Sequence, residues 1–590
     1  MSKVVRIGGA SGFWGDSAVG APQLVRSGQI DYLVFDYLAE LTMSLLAGAR
    51  LKKPELGYAT DFVTVAMKQV LKDVVDQGIR VVSNAGGVNP QGCADALAAL
   101  ASEQGVALKI AVVTGDDLMP QVGALREAQP PVRELQSGAP LPEKLVSANA
   151  YLGALPVKAA LDAGAQVVIT GRCVDSAVTL GVLMHEFGWA PEQHDLLAAG
   201  ALAGHIIECG AQGTGGLHTD WDRVPDWAHI GYPIVECEAN GAFTVTKPTG
   251  TGGLVVPAVV AEQMLYEIGD PAAYLLPDVV CDFTQVHMAQ TGEHRVRVEG
   301  ARGRPPTPFY KVSATHMAGF RCSAQLTIVG IDAVAKARRT GEAILIRTGK
   351  MLAALGLGAF KEHHLEVLGA ESCYGPHARH ADTREAILRL TVTHRSKEAL
   401  ELFAREIAPA GTSWSPGTTG AAGRPSVSPS IRQYAFLVDK SRVMPQVHLD
   451  GETIAVTVPA GTPITPPAPT HNSHTVDAGP DSVDVPLVRL AWARSGDKGD
   501  TSNIGVIARR PELLPLLRAQ LTPERVATWL AHLVQGPVTR FEVPGIHAFN
   551  FVCEQALGGG GMASLRNDPL GKGMAQILLS MPLRVPPHLL

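Results

Sequence analysis

The stretch of residues 166–216 carries the side chains best suited to catalysis. It opens with a short β-branched run that ends at a glycine, a pattern typical of a buried parallel strand. The turn after such a strand lies at the carboxyl edge of the sheet, where open α/β folds bind ligands. Arg172 and Asp175 lie in this turn, and Glu208 and Cys209 precede a glycine-rich loop. An acid, a thiol and a guanidinium near one sheet edge make this the strongest candidate active site in the chain.

These residues suggest specific roles. We interpret Cys209 as a nucleophile or acid/base group and Glu208 as a base. Arg172 and Lys247 would hold a carboxylate or phosphate, with Asp175 orienting Arg172. A thiol ionises near neutral pH when a cation lies beside it, and Arg172 or Lys247 is the expected source. The alternative is structural: Arg172 and Asp175 form an ion pair, and Cys209 is a small core residue.

Three glycine-rich turns follow predicted strands. Backbone amides in such turns can approach an anion closely because glycine has no side chain. The alternative is that they are tight turns with no ligand. The residues expected to contact a ligand are Gly9, Ser11 and Gly12 in the first turn, Asn84, Gly86 and Gly87 in the second, Asp116 after a further strand, and Lys247, Gly250, Gly252 and Gly253 in the third.

Strand-like and helix-like segments alternate four or five times across residues 1–231. This alternation predicts an α/β domain with a mainly parallel, doubly wound sheet. Residues 148–163, for example, are predicted to form a helix that leads into the strand at 167–170. The predicted strand ends should share one edge of the sheet; they are Gly8, Asp36, Asn84, Gly115 and Gly171.

The predicted secondary structure changes after residue 231. Residues 232–458 combine hairpin-like strands with helices and predict an α+β region. Residues 459–484 are rich in proline and predict a linker. Residues 485–590 follow a βαββαβ-like order, which predicts a small ferredoxin-like C-terminal domain. Its loop 494–500 places four charges around two glycines, so we expect that loop to face the cleft of the main domain or a neighbouring subunit.

Composition narrows the possible functions. The chain has 590 residues and a net charge of −6, so we expect no nucleic-acid partner. It shows no signal-peptide pattern, no uninterrupted apolar run of about 18 residues, and eight scattered cysteines without a C-x-x-C pair. These features predict a cytoplasmic protein with free thiols and no membrane contact. The histidines at 363, 364, 377 and 380 lack a ligand spacing typical of metal sites, so we predict neither a metal nor a definite cofactor.

Several of these motifs together resemble the AtuA family, named for acyclic terpene utilisation. The matching motifs are residues 8–12, 84–87, 169–172, 175–177, 208–210 and 246–253. The end of the chain is similar to the small C-terminal domain of that family, through residues 493–500, 557–561 and 564–566.

This resemblance implies a role in the breakdown of terpenoids such as citronellol and geraniol as CoA thioesters. We therefore expect an enzyme of branched acyl-CoA catabolism that acts on a CoA thioester or related carboxylate, with a lyase or hydrolase reaction. A homo-oligomer is also expected. Members of the family occur beside acyl-CoA carboxylases. The alternative is therefore a non-catalytic assembly or scaffold subunit for an acyl-CoA carboxylase, with the C-terminal domain as an interaction module.

Overall fold

A computed structural model describes residues 3–421, 423–465 and 480–590. Residues 466–479 of the predicted linker therefore lie outside the described residues. The strands, in chain order, are β1 (Val4–Gly9), β2 (Tyr32–Phe35), β3 (Arg80–Ser83), β4 (Ile110–Thr114), β5 (Ser147–Ala150), β6 (Val167–Thr170), β7 (Ile234–Glu238), β8 (Phe243–Thr246), β9 (Tyr274–Leu275), β10 (Val280–Asp282), β11 (His287–Gly292), β12 (Arg295–Glu299), β13 (Arg302–Arg304), β14 (Phe309–Val329), β15 (Glu362–Leu368), β16 (Glu385–His394), β17 (Thr418–Ala421), β18 (Val427–Asp439), β19 (Gln446–Leu449), β20 (Glu452–Ala455), β21 (Val483–Pro486), β22 (Ala491–Lys498), β23 (Thr501–Ala508), β24 (Val538–Val543), β25 (Ala548–Cys553) and β26 (Pro582–Val585).

Most helices lie between the strands of the first half or pack on the later sheets. A π-helical turn, Phe62–Met67, runs directly into the third α-helix. The α-helices are α1 (Gly20–Arg26), α2 (Glu40–Lys52), α3 (Lys68–Asp76), α4 (Pro90–Glu103), α5 (Val122–Arg126), α6 (Leu155–Asp162), α7 (Ala177–Phe187), α8 (His194–Ile207), α9 (Pro257–Leu265), α10 (Ala333–Ala354), α11 (Lys397–Arg405), α12 (Ala410–Ser413), α13 (Leu514–Gln520), α14 (Pro523–Trp529) and α15 (Met574–Leu579).

The largest sheet has 11 strands in the order β11-β12-β8-β7-β1-β2-β3-β6-β4-β19-β20. Its central strands β1, β2, β3, β6 and β4 are parallel, so their carboxyl ends share one edge, as expected. The strands on both flanks pair antiparallel. The sheet is therefore mixed, which corrects the prediction of a mainly parallel, doubly wound sheet. Hairpins from after residue 231 extend both of its edges, so the sheet crosses the predicted boundary at that residue.

The central sheet is covered on both faces, because side chains alternate along each strand. Tyr32 and Val34 of β2 belong to one core, which includes residues of α6, α7 and α8. Leu33 and Phe35 belong to the opposite core, which includes residues of α1, α3 and α4. The sheet edge that carries the candidate active site is therefore supported by packing on both faces of the sheet.

The long strand β14 contributes residues to two separate hydrophobic cores. Its first half pairs with β5 and β18, and Val312 packs in the main core. Its second half pairs with β16 and β17, and Ala324 packs in a separate core with residues of α10 and α11. The predicted helix at 148–163 is wrong at its start: Ser147–Ala150 is β5, and the helix begins only at Leu155.

The C-terminal segment forms a four-stranded antiparallel sheet in the order β22-β23-β25-β24. It has its own apolar core, to which α13, α14 and α15 contribute. The end of the predicted linker is not free chain, because Val483–Pro486 pairs antiparallel with β26. This sheet lies against the main body through the contacts described below.

Candidate active site

Arg172 lies in the turn that follows β6, and it is 3% exposed. Its backbone amide donates to Asp116 Oδ2 at 2.9 Å. The guanidinium donates from Nη1 to Asp175 Oδ1 at 2.8 Å and to the carbonyl oxygen of Cys173 at 3.0 Å. It also stacks 4.2 Å from the ring centroid of Tyr151. The predicted pairing of Arg172 with Asp175 is therefore present, and the arginine is fixed from three sides.

A second group of side chains lies next to this arginine. Glu40 begins α2, and its Oε1 accepts a hydrogen bond from the Tyr151 hydroxyl at 2.7 Å. Lys311 Nζ, from β14, lies 3.9 Å from the same carboxylate oxygen. Burial raises the pKa of Glu40, but Lys311 and Arg172 outweigh it and lower that pKa to about 2. Glu40 is therefore ionised at any physiological pH.

Asp36 and Asn84 follow β2 and β3 at the same edge. Asn84 Nδ2 donates to Asp36 Oδ1 at 2.5 Å, and its Oδ1 accepts from the backbone amide of Tyr37 at 2.8 Å. Burial, and then the negative charge of Asp175, raise the pKa of Asp36 well above its usual range. Asn84 was expected to contact a ligand, but its amide is used to hold two strand ends together.

Glu208 follows the last turn of α8 and pairs with His205. His205 Nδ1 lies 2.8 Å from Glu208 Oε1, and His205 Nε2 lies 3.2 Å from the carbonyl oxygen of Met264. Since both ring nitrogens face acceptors, the imidazolium form is favoured. Burial alone would lower the pKa of His205, but Glu208 outweighs it and the pKa is raised. Burial raises the pKa of Glu208 despite His205, which suits a proton-transfer group.

Cys209 is partly buried beside Glu208. Burial raises the pKa of its thiol well above the usual value, Glu208 and Glu267 raise it further, and a hydrogen bond with Gln263 opposes them. None of these main influences is a cation. The structure therefore does not supply the positive charge on which the nucleophile hypothesis for Cys209 depends.

The first glycine-rich turn packs against its own fold. The amide of Gly9 donates to the carbonyl oxygen of Pro233 at 3.0 Å, and the amide of Gly12 donates to Asp16 Oδ2 at 2.9 Å. The Ser11 hydroxyl donates to a backbone carbonyl after β2 at 3.0 Å. A methyl group on either glycine would lie within 2.6 or 2.7 Å of the backbone at the end of α8. These glycines allow close packing, and their amides are not free for a phosphate.

In the second glycine-rich turn the backbone amides likewise have partners within the fold. Gly86 N donates to the carbonyl oxygen of Thr170 at 3.1 Å, and Gly87 N donates to that of Asn84 at 3.3 Å. Asp116 lies behind the turn after β6, where burial raises its pKa to about 6. The turn joins neighbouring strand ends, and Asp116 fixes the backbone of the arginine turn.

Lys247 lies beside the third glycine-rich loop. Its Nζ donates to the carbonyl oxygen of Thr251 at 2.6 Å. The amides of Gly252 and Gly253 donate at 2.8 and 2.9 Å to backbone carbonyls in the segment before β7, and Gly250 forms an open turn with φ +78°. The predicted anion contact at this loop is not supported, because Lys247 and both amides already have partners.

The C-terminal domain contributes charged groups to this site: Asp497 and Lys498 belong to the predicted segment 494–500, whereas Lys572 was not predicted. Glu267, of the main body, accepts from Lys572 Nζ at 2.9 Å and lies 3.7 Å from Lys498 Nζ. Lys572 also lies 3.4 Å from Asp497 Oδ1. Glu267 has φ +59°, a conformation that costs energy for a residue other than glycine and is common at functional sites. Burial and Glu267 raise the pKa of Asp497 to about 7.

Lys498 interacts electrostatically with several groups of this cluster. Burial lowers its pKa, but Tyr274, Glu267, Asp175 and Glu40 outweigh it and raise that pKa well above the usual value. Its side chain is nevertheless 44% exposed. Lys498 therefore keeps its positive charge among carboxylates of the main body and remains accessible to a ligand.

Arg494 anchors the strand that carries this lysine. Its guanidinium donates to the carbonyl oxygen of Gly216 at 2.8 Å and to Gln263 Oε1 at 3.1 Å. It also lies 3.5 Å from Glu262 Oε2, and the same oxygen is 2.7 Å from His218 Nδ1. Glu262 is fully enclosed, so the domain contact includes a buried charged cluster. Residues 494–498 belong to β22, so the prediction of a loop at 494–500 is wrong in part. Through Arg494 this segment contacts the main domain, one of the two alternatives expected for it.

Comparison with known proteins decides the family. Residues 5–449 match the model described as acyclic terpene utilisation family protein AtuA. That match covers well over half of the chain.

The chain belongs to the AtuA family.

Residues 485–584 match the AtuA ferredoxin-like domain, which agrees with the predicted C-terminal fold. Membership of the AtuA family suggests involvement in acyclic terpene utilisation. Neither the curated proteins nor the solved structures contain a significant match.

Two features are absent from the described residues of this AtuA-family structure. Within residues 3–421, 423–465 and 480–590, no group of three or more His, Cys, Asp and Glu side chains is placed to hold a metal ion. In the same described part of the chain, no helix is sufficiently long and apolar to cross a membrane.

Iodoacetamide should label Cys209 slowly in the native protein at pH 7 and rapidly after unfolding in urea. The reason is that the thiolate reacts, and the raised thiol pKa keeps Cys209 protonated. Mass spectrometry of the peptide containing Cys209 measures the rate, with Cys209→Ser to confirm the assignment. Fast native labelling at this cysteine would restore the nucleophile hypothesis.

Proposed function

We propose that this chain is an enzyme that acts on a carboxylic acid or its CoA thioester in acyclic terpene breakdown. The observation that carries this proposal is the position of Lys498. Nζ of this lysine, from the C-terminal domain, lies 3.7 Å from Glu267 Oε2 of the main body, and the negative charges of Asp175 and Glu40 also favour its ammonium form. Charged groups with shifted pKa values, assembled from two domains at a sheet edge, are typical of an active site.

The accessible cations suit the anionic end of a substrate. Lys498 and Lys311 are 44% and 37% exposed, so both can reach a bound carboxylate. The raised pKa of Lys498 favours the ammonium form. We therefore assign Lys498 an electrostatic role and not that of an amine nucleophile.

Glu208 is the proposed acid/base group. Its carboxyl has a raised pKa and lies against the His205 imidazole. Such a carboxyl can accept a proton from a substrate and return it to a leaving group within one catalytic cycle. This activity fits a lyase step or hydrolysis beside a carbonyl. Arg172 and Asp175, fixed by their mutual ion pair, position the neighbouring carboxyls.

A ligand screen tests this proposal. Thermal unfolding of the wild type should shift upward with at least one branched free acid or CoA thioester, because a ligand that binds only the folded state stabilises it. Lys498→Met should weaken binding of the same ligand by about tenfold or more, the loss expected when a charged hydrogen bond is removed. Lys350→Met, at an exposed position on α10, is the matched control and should bind as the wild type does.

Two results would contradict this assignment. Equal binding by Lys498→Met and the wild type would remove the lysine from the site. A chain that binds none of these ligands but co-purifies with acyl-CoA carboxylase subunits would favour the scaffold function instead.

A further inference from the structure

The sheet built on β14 contains a gap on one side. β14 pairs with β18 as far as Cys322, opposite Val427, and with β17 from Leu326, opposite Ala421. Between these two ladders, residues 323–325 have no strand partner on that side among the described residues. A cavity lies at this gap and is lined by Ser323 and Gln325 of β14.

This cavity has a volume of about 450 Å³. Its lining is basic and polar, and none of the lining residues that the structure describes is acidic. Glu208 and Lys498 are not among its lining residues. The polar groups that line it are Arg321, Ser323, Gln325, Arg424, Ser426 and Ser428.

Arg321 has a positive charge without a counterion. Within the described residues it forms no ion pair, and it donates only to the carbonyl oxygens of Met562 and Ser564, at 3.5 and 3.4 Å. Glu366 does not neutralise Arg321, because it is paired with the nearby Arg389 at 2.6 Å. Burial, and then the charge of Arg389, lower the pKa of Arg321. An anion in the cavity would offset both the burial of the Arg321 charge and its repulsion by Arg389.

We infer that this cavity binds a phosphoanion, held by Arg321 and Arg424. Guanidinium groups bind phosphate oxygens through paired hydrogen bonds. The hydroxyls of Ser323, Ser426 and Ser428 supply further donors. A volume of about 450 Å³ accommodates more than a single phosphate, so a pyrophosphate group fits, either free or within a nucleotide or CoA. Since Arg321 also contacts the C-terminal domain, such a ligand would lie beside the domain contact.

Isothermal titration of the full-length protein with sodium pyrophosphate, ADP and CoA tests this inference. Pyrophosphate should bind the wild type in the millimolar range or tighter. Arg321→Met and Arg424→Met should each weaken that binding by about tenfold, since each removes charged hydrogen bonds. Arg339→Met, on the exposed face of α10, is the control and should leave binding unchanged.

The three ligands separate the two sources of the phosphoanion. Similar binding of pyrophosphate and CoA would indicate a free phosphoanion, whereas tighter binding of ADP or CoA would indicate a nucleotide carrier. Arg424 is exposed, so Arg424→Met keeps the test valid even if Arg321→Met fails to fold. Absence of binding by the wild type, or equal binding by wild type and Arg424→Met, would overturn the inference. The pyrophosphate result is independent of the ligand screen at Lys498, because pyrophosphate has neither the carboxylate nor the thioester that the screen tests.

Discussion

Replacing Arg172 with methionine should lower the free energy of unfolding by about 3–5 kcal/mol, the cost typical of removing one partner from a buried ion pair. Methionine preserves much of the volume but removes the charge that balances Asp175 and favours ionised Glu40. The stack on Tyr151 is also lost. Urea unfolding monitored by circular dichroism measures the effect as a shift of the first transition.

The matched control is Arg302→Met. Arg302 pairs with Asp195 at 3.0 Å, but the two side chains are 68% and 52% exposed. Exposed pairs contribute about 0–1 kcal/mol, so this variant should unfold close to the wild type. Equal losses in the two variants would mean that the Arg172 cluster is hydrated and does not organise the site.

Glu208→Gln should slow turnover by about 10²–10⁴-fold, the range expected when a general acid/base is removed. The substrate is the acid or thioester identified by the thermal-shift screen, and single-turnover kinetics give the rate. Folding should be retained because the glutamine carbonyl can still accept a hydrogen bond from His205 Nδ1. Thermal unfolding without ligand checks this point.

Cys209→Ser is the neighbouring control for that experiment. Its thiol is protonated in our interpretation, so turnover should stay within a few-fold of the wild type. Reversal of the two results, with Cys209→Ser inactive and Glu208→Gln active, would assign the chemistry to the thiol. Loss of activity in both variants would indicate that turnover depends on the packing of residues 208 and 209 and not on the chemistry of either side chain.

The sequence allowed the parallel centre of the large sheet to be predicted, since each strand is a short β-branched run that ends at a polar residue or glycine. Hairpin-like strands were predicted within residues 232–458, but their pairing with the large sheet was not, because antiparallel hairpins join the sheet through long-range contacts. Residues 148–150 show the same limit. Their small side chains favour a helix locally, yet pairing with β14 makes them a strand.

The site was predicted in part for a similar reason. Arg172, Asp175 and Glu208 all lie near one strand end, where topology brings them together. The glycine-rich turns were interpreted as ligand loops because a sequence does not show which carbonyl groups take up their amides. Glu267 and Lys572 gave no local signal, whereas the charged segment 494–500 did. The pairing of Glu267 with Lys498 joins residues far apart in the chain, so only the folded structure reveals it.

The late position of Lys498 in the chain has a consequence for protein synthesis. Domains fold largely as units, beginning at the N-terminus while the ribosome is still translating. The nascent main body can therefore form its sheet edge before Asp497 and Lys498 have been made. A product of premature termination within the linker would carry Arg172 and Glu208 but not the lysine that completes the cluster. Under the proposed function, activity would be restricted to molecules whose translation has finished.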